Sequence, residues 1–253
     1  MLLACNYYPE TEQLVREGKI DIDYFKFPAL GFQMGVLNDA DAFEEFAARV
    51  CAVRPVLLHG LYPEMDRLLR LTGSPGISLH PDECKNRRQI KAATDKLRLL
   101  RERYRSLDFI SVENMPNQKF GPLIQPEVIT EMVERSGCDF LLDISHAYCA
   151  ARCLGQEVWA YLSKLPLERV YEIHINGWVE KGGDIMCHTK INEAGYSILR
   201  ELLNLCRPKI ITIEYGRPND RVGCGCPVMR PGEMNRRAME EIIEQAARIR
   251  EMI

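Results

Sequence analysis

Short apolar runs alternate with longer amphipathic stretches along the whole chain. The apolar runs are rich in β-branched and aromatic residues, as is typical of strands buried on both faces of a sheet. They are Leu2–Cys5, Tyr24–Phe27, Pro55–Leu58, Gly76–Leu79, Phe109–Val112, Phe140–Leu142, Val170–Ile173 and Ile210–Ile213. The helical patterns between them include Asp41–Val53, Lys85–Tyr104, Pro126–Arg135, Glu193–Cys206 and Glu233–Met252.

Strands that alternate with helices predict a parallel sheet, and eight strands close a (β/α)₈ TIM barrel. The chain has 253 residues and no internal repeat or linker, so we expect one TIM-barrel domain over residues 1–253. Between the first two strands, Asn6–Gly18 offers only a short helix. An open doubly wound sheet is the structural alternative, although no glycine-rich nucleotide-binding motif supports it.

The composition is that of an ordinary soluble globular protein, with 46% hydrophobic and 27% charged residues. The formal charge of −3 gives no general attraction to nucleic acid or anionic membranes. No apolar run approaches the roughly 20 residues that span a bilayer, and the first residues lack the basic and apolar regions of a signal peptide. We therefore expect a cytoplasmic protein without a membrane or nucleic-acid partner.

Ten cysteines are scattered along the chain, which favours reduced thiols over a disulfide framework. Five of them lie among apolar residues and are expected to be buried for packing: Cys51, Cys138, Cys149, Cys153 and Cys206. Cys224 and Cys226 form a Cys-Gly-Cys loop that can bind a metal or exchange disulfides. A single motif of this kind is a weak signal, and its role stays open.

Ionisable residues stand directly after six of the predicted strands. They are His59, His80, Glu113, Asp143, His174 and Glu214, with His146 three residues after Asp143 and His188 in the loop after His174. The strands of a parallel barrel all end at one face, where the active site lies, so these residues are expected to converge. A single histidine there is more often structural, and a single carboxylate often caps the next helix.

The whole set, however, contains all five histidines of the chain. Imidazoles and carboxylates bind divalent metals, and one carboxylate can bridge two ions. Burying so many ionisable groups together without a cation would be costly. The sequence therefore predicts a centre of two or three divalent metal ions.

Three further residues are candidates for catalytic or supporting roles. Asn114 and Asn176 follow ligand positions, so their amides can contact substrate, orient ligands or support loop turns. Asp184 lies with His188 in a glycine-containing loop, where a solvated role is equally open.

The segments from Phe109 to Glu214 resemble the multinuclear non-haem iron-dependent oxidative enzymes, which modify ribosomally made peptides. The points of likeness are Glu113-Asn114, Ser136–Asp143 with His146, Leu165–His174 and Ile211–Glu214, while His59 and His80 fit the same ligand order. The order also resembles the endonuclease IV branch of the xylose-isomerase-like barrels. There Leu79–Pro81 and Leu142–Ala147 have close counterparts.

Either resemblance implies the same assignment of metal ligands within a xylose-isomerase-like barrel. One metal would be held by His59, His80 and Glu113. A second would share Glu113 and take Asp143, His174 and Glu214, and a third would use His146 and His188. The sequence departs from the pattern at Met186, where both groups place an aspartate two residues before the histidine that matches His188. Asp184 has the wrong spacing for a simple replacement.

The first resemblance implies an enzyme that uses iron to oxidise a cysteine-containing peptide or a related thiol. Zinc and manganese suit the same ligands, and a partner protein that delivers the peptide is a further expectation. A phosphodiester hydrolase is one alternative, opposed by the negative charge and the absence of obvious basic, aromatic-rich loops. A sugar isomerase is another, for which no clear base is left over. A non-catalytic metal- or peptide-binding protein is the third, and would lack an open coordination position.

Overall fold

Eight parallel strands close into a barrel in the computed structural model, which describes residues 1–27, 40–182, 184–217 and 228–253. The barrel strands are β1 Leu2–Asn6, β2 Tyr24–Phe27, β3 Val56–His59, β4 Gly76–Leu79, β5 Phe109–Glu113, β6 Asp139–Asp143, β7 Val170–Ile175 and β10 Ile210–Ile213. Closure comes from β1, which pairs with β10 as well as with β2. The predicted TIM barrel is confirmed, and the open-sheet alternative is wrong.

Helices surround the barrel and follow its strands. They are α1 Pro9–Arg16, α2 Ala40–Cys51, α3 Met65–Thr72, α4 Arg87–Arg103, α5 Pro126–Ser136, α6 Ile144–Cys153, α7 Val158–Leu162, α8 Glu193–Leu205 and α9 Arg236–Met252, with short 3₁₀ segments at Gln118–Ile124 and Leu167–Arg169. Side-chain caps set several of the starts. The helix predicted from Glu233 begins only at Arg236, because the Asn235 side chain accepts a hydrogen bond from the Ala238 backbone.

The barrel interior is layered, because residues two apart on a strand face the same side. At the bottom, Ala4, Leu57, Phe109 and Ile210 form a small apolar cluster. Gly76 leaves room for the Phe109 ring, which would lie 2.4 Å from a Cβ at that position. The main apolar core lies between the strands and the helices. The upper interior of the barrel is therefore left to polar side chains.

An antiparallel hairpin of β8 Gly177–Lys181 and β9 Asp184–Thr189 stands where the sequence predicted a loop. That prediction was wrong, and His188 lies on a strand. The sequence did contain a hairpin signal, because two glycines at 182 and 183 separate the two segments that form these strands. Gly177 is required there, since a Cβ would lie 1.8 Å from the Lys190 carbonyl oxygen. Trp178 stacks on Tyr148 of α6, with ring centroids 4.4 Å apart.

The cysteine predictions are mostly confirmed. Cys138, Cys149 and Cys206 are buried and Cys51 is half-buried, but Cys153 is exposed, at the last residue of α6. Cys224 and Cys226 lie outside the described residues. Among the described residues, no helix combines the length and apolar character needed to cross a membrane. The single domain over residues 1–253 stays a prediction.

Candidate metal centre

The carboxyl ends of the strands carry the candidate site. His59, Glu113 and Asp143 are the last residues of β3, β5 and β6, and His174 lies one residue before the end of β7. His80 and Glu214 follow β4 and β10 directly, His146 is on the first turn of α6, and His188 is on β9. The structure therefore brings together, at one barrel mouth, all eight residues that the sequence singled out as ligands.

Glu113 lies at the middle of this group. Its carboxylate is fully buried, with Oε2 2.9 Å from His80 Nε2 and 3.2 Å from His59 Nε2. Its other oxygen, Oε1, lies 3.0 Å from His146 Nδ1. One carboxylate thus contacts three imidazoles, as a bridging ligand between neighbouring ions would.

Four groups of side chains have ligand atoms within 4.8 Å of one another. They are His59, His80 and Glu113; Glu113, Asp143, His174 and Glu214; His59, His174 and Glu214; and His146, Cys187 and His188. Cys187 is the member that sequence reasoning missed. The side chain of Asp184 lies outside the described residues, so its predicted role stays a prediction.

Several of these buried atoms lie close to other polar atoms but make no hydrogen bond of acceptable geometry. Among the described residues they are His59 Nε2, both oxygens of Glu113, His174 Nδ1, His188 Nδ1 and Glu214 Oε2. An unsatisfied buried polar atom costs about 1–3 kcal/mol, so such a concentration is unusual. All are nitrogen or oxygen atoms that can donate a lone pair. The donor set therefore fits a multinuclear centre of divalent cations.

The charges of the site are strongly coupled. Burial favours the neutral forms of the carboxyls, but the surrounding imidazoles hold the pKa of Glu113 well below its usual range. Against the same effect of burial, His174 lowers the pKa of Glu214 to about 2. Burial would lower the pKa of His174, yet Glu214 and Glu172 raise it to about 10. A metal ion competes with the protons on these imidazoles, since ligands must be deprotonated to bind.

Asn114 holds the Asp143 segment in place. Its Oδ1 accepts from the Asp143 backbone N–H at 2.8 Å and its Nδ2 donates to the Asp143 carbonyl at 3.0 Å. Its own carbonyl oxygen lies 3.0 Å from His146 Nδ1. Asp143 also caps α6, because its Oδ1 accepts from the His146 backbone N–H at 2.7 Å. The Asp143 carboxylate therefore both caps α6 and belongs to the cluster of candidate ligands.

Asn176 connects two other ligand candidates. Its Nδ2 donates to Asp143 Oδ2 at 3.0 Å, and its Oδ1 accepts from the His188 backbone N–H at 2.8 Å. Asn114 and Asn176 are both fully buried. Their amides are occupied in orienting the residues around them.

A second layer of charged side chains lies deeper in the barrel, at the level of Glu172, two residues before His174 on β7. Lys26 Nζ donates to both oxygens of Glu172 at 2.7 and 2.6 Å and to Ser78 Oγ at 2.8 Å. Glu172 Oε1 also accepts from Thr212 at 2.6 Å and lies 3.2 Å from His174 Nε2. Burial would raise the pKa of Glu172, but Lys26 holds it well below its usual range. Sequence reasoning missed this pair, whose signal was a charge inside each of two apolar strands.

Comparison with known families agrees with this site. Residues 99–218 match the family model described as "RiPP precursor modification enzyme MbnB/TglH/ChrH". The chain is similar to this enzyme family over that segment. The resemblance expected from the sequence is confirmed, and the matched segment carries Glu113, Asp143, His146, His174, His188 and Glu214.

Curated relatives match over shorter stretches. A UPF0276 protein of Anaeromyxobacter sp. (strain Fw109-5) is 39% identical over 56 residues, which are 22% of this chain and 20% of the relative. A UPF0276 protein of Chromobacterium violaceum is 30% identical over 91 residues, or 35% of this chain and 33% of the relative. The matched segments thus span a third or less of these relatives' own lengths.

Solved structures confirm the xylose-isomerase-like fold. A xylose isomerase domain containing protein from Salmonella typhimurium LT2 has a TM-score of 0.66 at 12% identity, covering 98% of this chain and 96% of the other. The IOLI protein with a binding zinc atom has a TM-score of 0.62 at 14% identity, with the same coverage. At these identities the likeness concerns the fold alone.

Proposed function

We propose that this protein is a metalloenzyme that oxidatively modifies a cysteine-containing peptide or a related thiol. The observation that carries the proposal is the buried Glu113 carboxylate within 3.2 Å of three imidazoles, in a chain related to precursor-peptide modification enzymes. We propose a centre of two or three metal ions with iron favoured, although zinc and manganese suit the same ligands.

Access from solvent favours catalysis over metal storage. The group of His59, His80 and Glu113 supplies three protein ligands, and the His80 side chain is 48% exposed. Three protein ligands with a solvent-facing side are typical of catalytic sites, whereas structural sites are closed by four. A substrate thiolate would approach from the side of His80.

The protein's own residues would bind, orient and shield this centre. We assign the first metal to His59, His80 and Glu113 and the second to Glu113, Asp143, His174 and Glu214. Bound iron would supply the redox chemistry that removes hydrogen next to the substrate sulfur. The buried side of the cluster, formed by Asp143, His174 and Glu214, would exclude bulk water.

Hydrogen bonds from neighbouring residues would fix the orientations of the metal ligands. A proton on His174 Nε2, held toward Glu172 at 3.2 Å, leaves the Nδ1 lone pair directed at the centre. Asn114 and Asn176 are proposed as positioning residues rather than substrate contacts, because their amide groups already bond to Asp143 and His188.

Sugar isomerisation is a weaker candidate. The fold neighbours include xylose isomerase domain proteins, but that chemistry needs a base beside the metals. The fully buried Lys26 is engaged with Glu172 and Ser78, so it is not available to a substrate. Phosphodiester hydrolysis is favoured by no specific contact of the described residues, and the net charge of −3 opposes binding to nucleic acid.

Co-expression with a peptide tests the proposal. The neighbouring genes would be searched for a short cysteine-containing peptide, which would be produced with the protein under iron supplementation. We expect O₂ consumption and a mass change confined to the cysteine, both lost when that cysteine is replaced by serine. A wild-type protein that holds iron but leaves peptide thiols unchanged, while its zinc or manganese form isomerises sugars, would contradict the proposal.

Two further parts of the proposal concern the cell. A partner protein that delivers the peptide is proposed as part of the system, because the relatives act on precursor peptides. The cytoplasm is the proposed location, where thiols such as the buried Cys138 and Cys206 stay reduced.

A further inference from the structure

The third metal position has two imidazoles but lacks the expected carboxylate. Met186 stands where the resemblance predicts an aspartate. The next residue, Cys187, has its sulfur within 4.8 Å of the ligand nitrogens of His146 and His188. A thiolate is a metal ligand of the same charge as a carboxylate.

The backbone of the hairpin explains how two consecutive residues reach one site. In a regular strand, neighbours face opposite sides, so residues 186 and 188 would share a face. Here Gly177 pairs with Thr189 and Trp178 pairs with Cys187, which leaves His188 as the extra residue of a β-bulge. Among the described residues other than glycine, only His188 has a positive φ, at 62°.

One side-chain amide and two backbone N–H groups hold this unusual conformation. The His188 N–H donates to Asn176 Oδ1 at 2.8 Å, and its carbonyl accepts from the backbone N–H groups of Gly216 and Arg217 at 2.9 and 2.7 Å. Strained backbone that persists under such contacts is typical of functional sites. The bulge thus turns His188 to the side of Cys187.

The surroundings of the sulfur are those of a ligand position. His146 and His188 are only 5% and 8% exposed, and His188 Nδ1 is among the buried atoms without a hydrogen-bond partner. The Cys187 sulfur lies within 4.8 Å of a ring nitrogen of each of these imidazoles, and Cys149 of α6 is a further neighbour. The Cys187 sulfur therefore lies beside two imidazoles, one of which has a nitrogen without a hydrogen bond.

We propose that Cys187, as a thiolate, completes the third metal site with His146 and His188. The inference rests on the metal centre of the proposed function and specifies its third position. The other positions have only nitrogen and oxygen ligands, whereas this one gains a soft donor. Thiolates favour zinc, copper(I) and iron over magnesium and manganese, so the third site differs from the others in metal preference.

Cobalt(II) substitution tests the proposal without reference to activity. Cobalt bound to a thiolate absorbs in the near ultraviolet, whereas cobalt bound only to nitrogen and oxygen lacks this charge-transfer band. We expect the band in the wild-type chain loaded with cobalt under reducing conditions. The variant Cys187→Ser should lose the band together with one cobalt per chain, measured by elemental analysis.

Three variants make the result specific. Cys187→Asp should keep the third cobalt but lose the band, because the carboxylate restores the expected ligand. Cys149→Ser, which removes the neighbouring thiol, should keep both the metal and the band. Cys153→Ser, at an exposed position on the same helix, is the matched control. Circular dichroism checks that each variant is folded.

Three results would overturn the proposal. One is a cobalt-loaded wild type without the band. Another is a band that persists in Cys187→Ser or Cys187→Asp, or an unchanged cobalt content in Cys187→Ser. The third is a disulfide between Cys149 and Cys187 in the metal-loaded wild type, seen by mass spectrometry without reduction. A protein that shows the predicted band but modifies no thiol would contradict the proposed function alone. A peptide-modifying enzyme without the band would contradict only the role of Cys187.

Discussion

Two layers of ionisable side chains lie one above the other inside this barrel, and they differ in how their charges are balanced. In the lower layer, Lys26 Nζ donates to both oxygens of Glu172 and to Ser78. In the upper layer, Glu113 and Glu214 face imidazoles, and several ligand atoms have no hydrogen bond. A buried charge is tolerated when it is paired and hydrogen-bonded. The lower layer therefore carries its own cation, and the upper layer has the composition of a site that takes cations from outside.

The two layers meet at one side chain. His174 lies 3.2 Å from Glu172 through Nε2 and 3.3 Å from Glu214 through Nδ1. The lower layer thus orients a ligand of the upper one. Changes to either layer should therefore affect metal binding and stability to different extents.

The largest effect is expected from Glu113→Gln. The amide keeps the shape of the side chain but loses the negative charge that lies among His59, His80 and His146. Since Glu113 is the proposed bridge, two metals should be lost together, as measured by elemental analysis. Glu102→Gln, in an exposed ion pair with Arg98, should leave the metal content unchanged. Loss of a single ion from Glu113→Gln would contradict the bridging role.

In the lower layer, Lys26→Met should destabilise the fold by about 3–5 kcal/mol, because it leaves Glu172 buried without its counter-charge. Chemical denaturation would measure the free energy of unfolding. The double variant Lys26→Met with Glu172→Gln removes both charges and should recover part of this loss. Equal stability of Lys26→Met and the wild type would show that the pair is not what neutralises the layer.

Metal removal should destabilise the protein to a comparable extent. Free metal at a thousand times its dissociation constant stabilises a folded state by about 4 kcal/mol for one site. Chelation should therefore lower the melting temperature, and added metal should restore it. If the melting temperature did not respond to chelation in protein shown to contain metal, the upper layer would not depend on cations.

The pH dependence of metal binding has a definite sign. The pKa of His174 is raised to about 10 by Glu214 and Glu172, so its ring carries an extra proton at neutral pH. Metal must displace that proton, and the apparent affinity should rise with pH toward 10. Titration with metal at several pH values measures this. Affinity that falls as pH rises over this range, under conditions where the metal stays soluble, would contradict it.

The smallest effect is expected from Asn176→Ala. This change removes the hydrogen bonds to Asp143 and to the His188 backbone and should weaken metal binding about 10–100-fold. Asn86→Ala, which removes the cap of α4, should cost about 1 kcal/mol of stability without changing metal affinity. If both variants bound metal equally well, Asn176 would not position the ligands.

The sequence predicted the barrel well because its strands are short, continuous apolar runs buried on both faces. The upper layer was predictable for a related reason. Residues such as His59 and Glu113 end their strands, and parallel topology alone brings strand ends together. The lower layer was not, since Lys26 and Glu172 lie 146 residues apart, and nothing local indicates that one charge neutralises the other.

Cys187 was missed because the family resemblance directed attention to Met186, two residues before His188. The segment was also predicted to be a loop, so no strand geometry was considered for its side chains. The β-bulge at His188 changes which neighbour lies beside it. The positive φ depends on contacts with Asn176 and Gly216, and such contacts exist only after the chain has folded.

Elemental analysis of the chain, expressed with added iron and purified without oxygen, tests the central claim most directly. The convergence of His59, His80, Glu113, Asp143, His174 and Glu214 predicts at least two metal ions per chain, with iron among them. A correctly folded protein that retains less than one metal ion per chain, even when iron, zinc and manganese are supplied, would contradict the metal centre itself.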